Sequence, residues 1–349
     1  MDMVNGIKNY LSTMGFVWFV YWFYNHVGYY ISFFDRVFTI YKRDISFHTK
    51  DIFFWLVVFY AIFLMIYYTL YSDKSTAREV MGCIVSQFSK NKKKFDDRTK
   101  QAFLKIGVKF FYAPLMIFWF TGHVVTLINN IYFILGDAGL ATTDFVLFFN
   151  KHLFWNLFNI ILTIDVFFFT IGYLTERDKL GNTIRSAQPY AVWWIVALMC
   201  YPPFNNLTSG VLNWYSTDFP QFAQGRLTVT IWFIICILMS IYTWASISLG
   251  WKASNLTNRG IVYKWPYKYI RHPAYITKNI AWLLGAVPMA LWFIHSQDWK
   301  SLFYLVLSLL GRGLIYHARS VTEEMHLSLD PDYVDYKKKV PYKYIPWLY

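Results

Sequence analysis

The side chains able to do chemistry gather near the C-terminal end of the chain. Arg271-His272-Pro273-Ala274-Tyr275 sets a guanidinium, an imidazole and a phenol side by side. Arg319 and the pair Glu323-Glu324 follow, then Asp330-Pro331-Asp332-Tyr333-Val334-Asp335-Tyr336. Adjacent carboxylates and aromatic faces suit an organic cation. Arginines suit a carboxylate or a phosphate. The eight histidines are scattered, without HExxH or CxxC spacing, so no metal is expected.

Helices must position these groups. Pro273 fits the first turn of a helix, where its missing N–H costs nothing. Arg271 beside that helix N-terminus predicts an anion site. Arg312, Tyr316, Arg319 and Glu323 recur at spacings of four, three and four, which makes one polar stripe on a second helix. Arg319 and Glu323 are placed to pair. Glu324 turns about 100° away, so it is expected to face the site while Glu323 holds Arg319. Asp330-Pro331 reads as the cap and first residue of a short helix with Tyr333 and Tyr336 on one face. That helix should stop before Pro341.

The rest of the chain is built to enter a bilayer. It has 349 residues, 56% hydrophobic, 22% aromatic and only 15% charged. Disorder is excluded by that apolar content. Crossing the hydrocarbon takes about 20 apolar residues, and residues 11–34, 52–71, 110–135 and 227–251 each meet this without a single charge. Further spans are read at 153–173, within 186–217 ending near Tyr201-Pro202-Pro203, at 273–295 and at 301–316. The expectation is an all-α, polytopic membrane protein of about eight transmembrane helices with a cytoplasmic C-terminal catalytic segment. The last two spans form a tight hairpin around Asp298. Cys83, Cys200 and Cys236 form no disulfide framework.

Charge sets the orientation. Most of the 33 basic residues fall in the N-terminus, 72–105, 174–185, 252–278 and 312–349, which are alternate connections of the eight-span order. Basic loops favour the cytoplasm, so both termini are expected there. The run Lys90-Asn91-Lys92-Lys93-Lys94 reads as a lipid-facing loop. The net charge of +13 needs no nucleic acid to explain it. Asp165 and His123 stand alone inside spans and read first as buried hydrogen-bonded contacts. Pro114, Pro202 and Pro288 mark kinks or ends.

The ordered set Pro266-Tyr267, Arg271-His272-Pro273-Ala274-Tyr275, Arg319, Glu323-Glu324, Tyr333, Tyr336 and Pro341 resembles the isoprenylcysteine carboxyl methyltransferase family and its prokaryotic membrane relatives. The resemblance covers roughly residues 258–349. It implies one membrane domain, with 1–250 shaping the substrate side and 251–349 as the methyltransferase-like core. It also implies an integral protein of the bacterial inner membrane or the endoplasmic reticulum with its active site facing the cytoplasm. S-adenosylmethionine would be the methyl donor, and a lipophilic or lipidated substrate would arrive through the membrane lipid. By the same resemblance His272, Pro273, Tyr275, Glu323, Glu324, Tyr333 and Tyr336 would bind the cofactor. Arg271, Arg319 and Glu324 would be the catalytic set, the arginines holding a carboxylate or phosphate.

The chain departs from the family at Trp265, where glycine is usual, and at Thr277-Lys278. The ending Val340-Pro341-Tyr342-Lys343-Tyr344-Ile345-Pro346 is also similar to membrane sterol reductases, which use a nicotinamide cofactor. Ala274 and Lys278 differ from that second pattern. A non-catalytic membrane protein or a transporter is the remaining alternative, although no two related halves are visible.

Overall fold

A computed structural model describes residues 3–71, 75–89, 95–210, 212 and 226–348. Two expected features, Lys90–Lys94 and the terminal Tyr349, lie outside the described residues, as does the end of the stretch 186–217. The chain forms two compact units, Met1–Val125 and Thr126–Tyr349. Among the described residues six helices are long and apolar enough to cross a membrane, in keeping with an integral membrane protein.

In the first unit, α1 (Met3–His26) breaks at Val27 and α2 (Gly28–Phe34) follows, so the uncharged run 11–34 is two helices rather than one. A short hairpin, β1 (Val37–Ile40) and β2 (Ile45–His48), leads into α3 (Thr49–Leu70). A capping box of His48 and Asp51 starts α3. α1 and α3 run antiparallel. Gly6 sits so close to α3 that a Cβ there would lie 2.5 Å from the Tyr68 carbonyl oxygen, and Tyr21 meets Phe54 at the other end.

α4 (Thr76–Gln87) is tied to α1 through Arg78, which donates to Asn5 at 2.7 Å. α5 (Asp97–Gly136) carries Pro114 in its interior. Proline cannot donate to the carbonyl four residues back. The Tyr24 hydroxyl lies 3.2 Å from that Phe110 carbonyl and 3.2 Å from its neighbour Phe111, which meets the need to satisfy freed backbone groups away from water.

In the second unit two single-turn helices, α6 (Leu140–Thr143) and α7 (Phe145–Phe148), and a π-turn, Phe149–Leu153, precede α8 (Phe154–Leu174). α9 (Ala191–Leu198), α10 (Arg226–Leu249) and the hairpin of α11 (Pro273–His295) and α12 (Trp299–Leu327) follow. Asp298 caps α12 through the Ser301 N–H at 3.0 Å. α13 (Pro331–Lys339) closes the order. Strands β3 (Ser186–Ala187) and β4 (Thr257–Asn258) pair antiparallel.

α8 and α10 are parallel neighbours. Phe154 stacks on Trp232 at 4.3 Å, Thr243 donates to the Ile161 carbonyl at 3.0 Å, and Gly172 abuts the Ala253 carbonyl just past the end of α10. The chain between them must therefore climb back along the pair. The expected fifth helix does not do this: α9 has eight residues, about 12 Å of rise against about 30 Å of hydrocarbon. The path runs instead along α12, from Gln188 beside the Thr322 carbonyl to Leu212 packed on Gly311.

Candidate functional site

The site forms where α11 begins, α12 ends and the tail after α13 returns. Asp330 accepts from the Asp332 N–H at 3.0 Å, which starts α13 as expected. Burial alone would raise the Asp330 carboxyl, but hydrogen bonds from Asn258, Arg185 and the Asp332 N–H hold it below its ordinary range. Tyr333, Tyr336 and Val340 pack with Ile261 and Leu327. The Tyr336 hydroxyl donates to the Tyr267 carbonyl at 2.7 Å. Burial pushes the Tyr333 phenol well up, and the field of Glu324 adds to it. Tyr336 thus anchors the tail helix to the stretch before Pro273.

The anion site expected at the start of α11 is filled by the chain itself. The N–H groups of Arg271 and His272 donate to the carbonyls of Tyr342 and Lys343, each at 3.0 Å. The Arg271 side chain donates from Nε to Glu324 Oε1 at 2.9 Å and from Nη1 to the Val340 carbonyl at 2.9 Å. His272 Nε2 meets the same Glu324 oxygen at 3.0 Å, and Lys337 lies 3.4 Å from the other. Arg271, His272 and Glu324 are all buried. Burial pushes the Lys343 ammonium down against the pull of Glu324.

Glu323 is arranged differently. Its side chain is 46% exposed, and Oε2 accepts from the Tyr275 hydroxyl at 2.8 Å and lies 3.9 Å from His272 Nδ1. The His272 and Tyr275 rings stack at 5.3 Å, nearly parallel at 12°. The expected pair of Arg319 and Glu323 does not form. Arg319 Nη2 donates to Asn255 Oδ1 at 2.9 Å instead, and its guanidinium faces the rings of Tyr201, Tyr275 and Tyr316 at 5.7, 5.4 and 5.4 Å. The turn of about 100° between the two glutamates is real, but the tail that returns over α11 draws Glu324 to Arg271 and leaves Glu323 open. The expected roles of the two carboxylates are thereby exchanged in geometry.

Below this layer lies a second one that spacing only half revealed. Tyr275, Lys278 and Trp282 share a face of α11, opposite Arg312, Tyr316 and Arg319 on α12. Lys278 Nζ sits 5.3, 5.2 and 6.0 Å from the ring centroids of Tyr242, Trp282 and Tyr316. Arg312 lies 4.8 Å over Trp282. Asp165 accepts from Tyr242 at 2.8 Å and from Ser246. It therefore joins this layer, through the hydroxyl of a ring that Lys278 also faces. His123 belongs to the first unit. Pro273 starts α11 as its first residue. The signal that could have exposed Lys278 is its isolation: it is the one charged residue of α11.

These are groups for binding and positioning. A half-exposed carboxylate beside stacked aromatic rings presents negative charge and π-faces. Next to it, cations face rings rather than carboxylates. Comparison with protein-family models, with curated proteins and with solved structures finds no match.

Proposed function

We propose that this chain is a membrane methyltransferase that uses S-adenosylmethionine to methylate an anionic oxygen of a lipophilic substrate. The single observation that carries this reading is the junction of Glu323, Tyr275 and His272 with Arg319 at one end of the α11–α12 hairpin. Glu323 Oε2 accepts from Tyr275 while Oε1 has no partner among the described residues. That open oxygen and the two stacked rings fit a sulfonium cation. The cofactor, when bound, supplies an electrophilic methyl group. The residues of the chain do the rest by binding and orienting. Glu323, Tyr275 and His272 line the cofactor side. Arg319, held by Asn255, faces the acceptor. Arg271 and Glu324 lock the tail carbonyls to the helix ends and so fix the position of His272.

The finer topology belongs to the same proposal. α1 covers the length of the apolar α3 and counts as a crossing with it. The segment that begins with α9 counts as a broken crossing, a short helix followed by chain that reaches Leu212 against Gly311 of α12. Non-helical backbone is tolerated at that depth where protein buries it. With the six apolar helices this gives eight crossings. Both termini then lie on the side of the basic loops, which is the cytoplasm, and the catalytic segment faces it.

The test is transfer of a labelled methyl group. Membranes containing the protein are incubated with methyl-labelled S-adenosylmethionine and extracted with organic solvent. Label is expected in the lipophilic fraction and should fall with Glu323→Gln. No protein-dependent label in lipid or in lipidated protein would defeat the reading. Dependence on NADPH instead would favour the reductase alternative.

A further inference from the structure

In the layer beneath the proposed cofactor site two cations form no ion pair with a carboxylate. Lys278 makes no hydrogen bond among the described residues and has no carboxylate within 4.0 Å; its neighbours are the ring faces of Tyr242, Trp282 and Tyr316. Arg319 likewise has no carboxylate partner. Both cations face one ring, that of Tyr316. The charges acting on the Lys278 ammonium are Asp165 and Arg319, with Tyr201 in the same field. Asp165 is already engaged by Tyr242 and Ser246, and Glu323 by Tyr275.

A desolvated ammonium or guanidinium is costly unless it is paired. Ring faces return only part of that cost. Arg271 shows what a satisfied cation looks like in this protein: a buried carboxylate at 2.9 Å and a backbone carbonyl at 2.9 Å. Arg271 is occupied by the chain and is in no position to hold a substrate anion as well. Lys278 and Arg319 are one layer further along the hairpin and lack such partners.

We infer that Lys278 and Arg319, across the face of Tyr316, form the seat for the anionic head of a lipophilic substrate, a phosphate or carboxylate carried on an apolar chain. The inference rests on the proposed function for what the head is attached to, and on geometry alone for the seat. A substrate entering between apolar helices brings the missing charge with it. Its head is then drawn to Arg319, whose guanidinium also lies beside Tyr275 of the proposed cofactor side. A neutral lipid of the same chain length gains nothing there. Lys278 is in this account a specificity-determining residue, and Trp282 and Tyr316 are its walls.

The probe is dodecyl phosphate, added to the full-length protein in a neutral detergent, with dodecanol and inorganic phosphate as controls. Thermal stabilisation is read for each, and S-adenosylhomocysteine is titrated separately against wild type. Dodecyl phosphate should stabilise the protein while dodecanol and inorganic phosphate do not. Lys278→Gln should weaken dodecyl phosphate by about tenfold, the equivalent of one charge-assisted contact, and Lys278→Arg should restore it. Equal response to phosphate and alcohol in wild type would overturn the seat, whether or not the variants fold. So would an undiminished response in folded Lys278→Gln. Stabilisation by inorganic phosphate alone would reassign the site to a soluble anion and overturn the lipid claim. Binding of dodecyl phosphate without any response to S-adenosylhomocysteine would leave the seat standing and remove the methyltransferase. The opposite result would do the reverse.

Discussion

Two layers of one helical hairpin use charge in opposite ways. In the outer layer Glu324 meets Arg271, His272 and Lys337, and Arg271 also donates to a carbonyl of the tail. In the inner layer Lys278 and Arg319 face tyrosine and tryptophan rings. The outer layer is closed on itself and behaves as a clasp. In the inner layer no carboxylate pairs with these two cations, which is where the proposed anionic head would sit. Two arginines on the same polar hairpin, Arg271 and Arg319, thus differ in role because of what the tail brings to one and not to the other.

The largest effect should come from breaking the clasp. Glu324→Gln leaves Arg271 buried without its carboxylate, a loss of about 3–5 kcal/mol. Measured as thermal or denaturant stability in detergent, the variant should melt far below wild type, while Glu323→Gln should melt close to it. Similar stability in both variants would erase the distinction between the layers.

Asp165→Asn should cost less, about 1–3 kcal/mol. The amide keeps one acceptor for Tyr242 or Ser246 and turns a donor toward the other. The same stability measurement checks it, and a loss equal to that of Glu324→Gln would place Asp165 in the clasp rather than beside the seat.

Acid should loosen the tail helix. The Asp330 carboxyl is held below its ordinary range in the folded protein. A depressed carboxyl contributes stability that is complete above its unfolded pKa, about 3.9. That stability is lost as the pH falls through the lower folded value. Proteolysis of the tail helix should therefore increase below about pH 4, and Asp330→Asn should reduce that increase. An unchanged acid response in Asp330→Asn would assign it to other carboxyls.

The smallest effect on stability is expected where the effect on binding is greatest. Lys278→Met replaces an unpaired cation with an apolar side chain of similar length, and buried charges often yield to such replacement at no cost. Its melting temperature should equal or exceed that of wild type. A marked fall would show that Lys278 is already paired and would close the inner layer.

The sequence disclosed some of this readily. The start of α11 at Pro273, the cap at Asp330 and the stripe Arg312, Tyr316, Arg319, Glu323 followed from proline chemistry, side-chain capping and helical spacing, all of which are local. What stayed hidden was long-range. Nothing local says that the tail returns to cover Arg271, so the neighbouring glutamates were assigned to each other's environments. Asp165 looked isolated because its partners, Tyr242 and Ser246, lie on a helix far along the chain. The uncharged stretch after Gln188 reads as one more helix, but the helix in it stops at Leu198, just ahead of Pro202 and Pro203, and only a short 3-10 turn, Phe204–Leu207, follows among the described residues. The break of α1 at Val27 has the same character, since the uncharged run continues through it.

The most direct measurement is the thermal stability of the purified wild-type protein with S-adenosylhomocysteine against NADPH. A ligand that binds the folded state at roughly a hundred times its dissociation constant adds about 2.7 kcal/mol. The account predicts a rise of that order with S-adenosylhomocysteine and none with NADPH, and the rise should shrink in Glu323→Gln. Stabilisation by NADPH with no response to S-adenosylhomocysteine would contradict it.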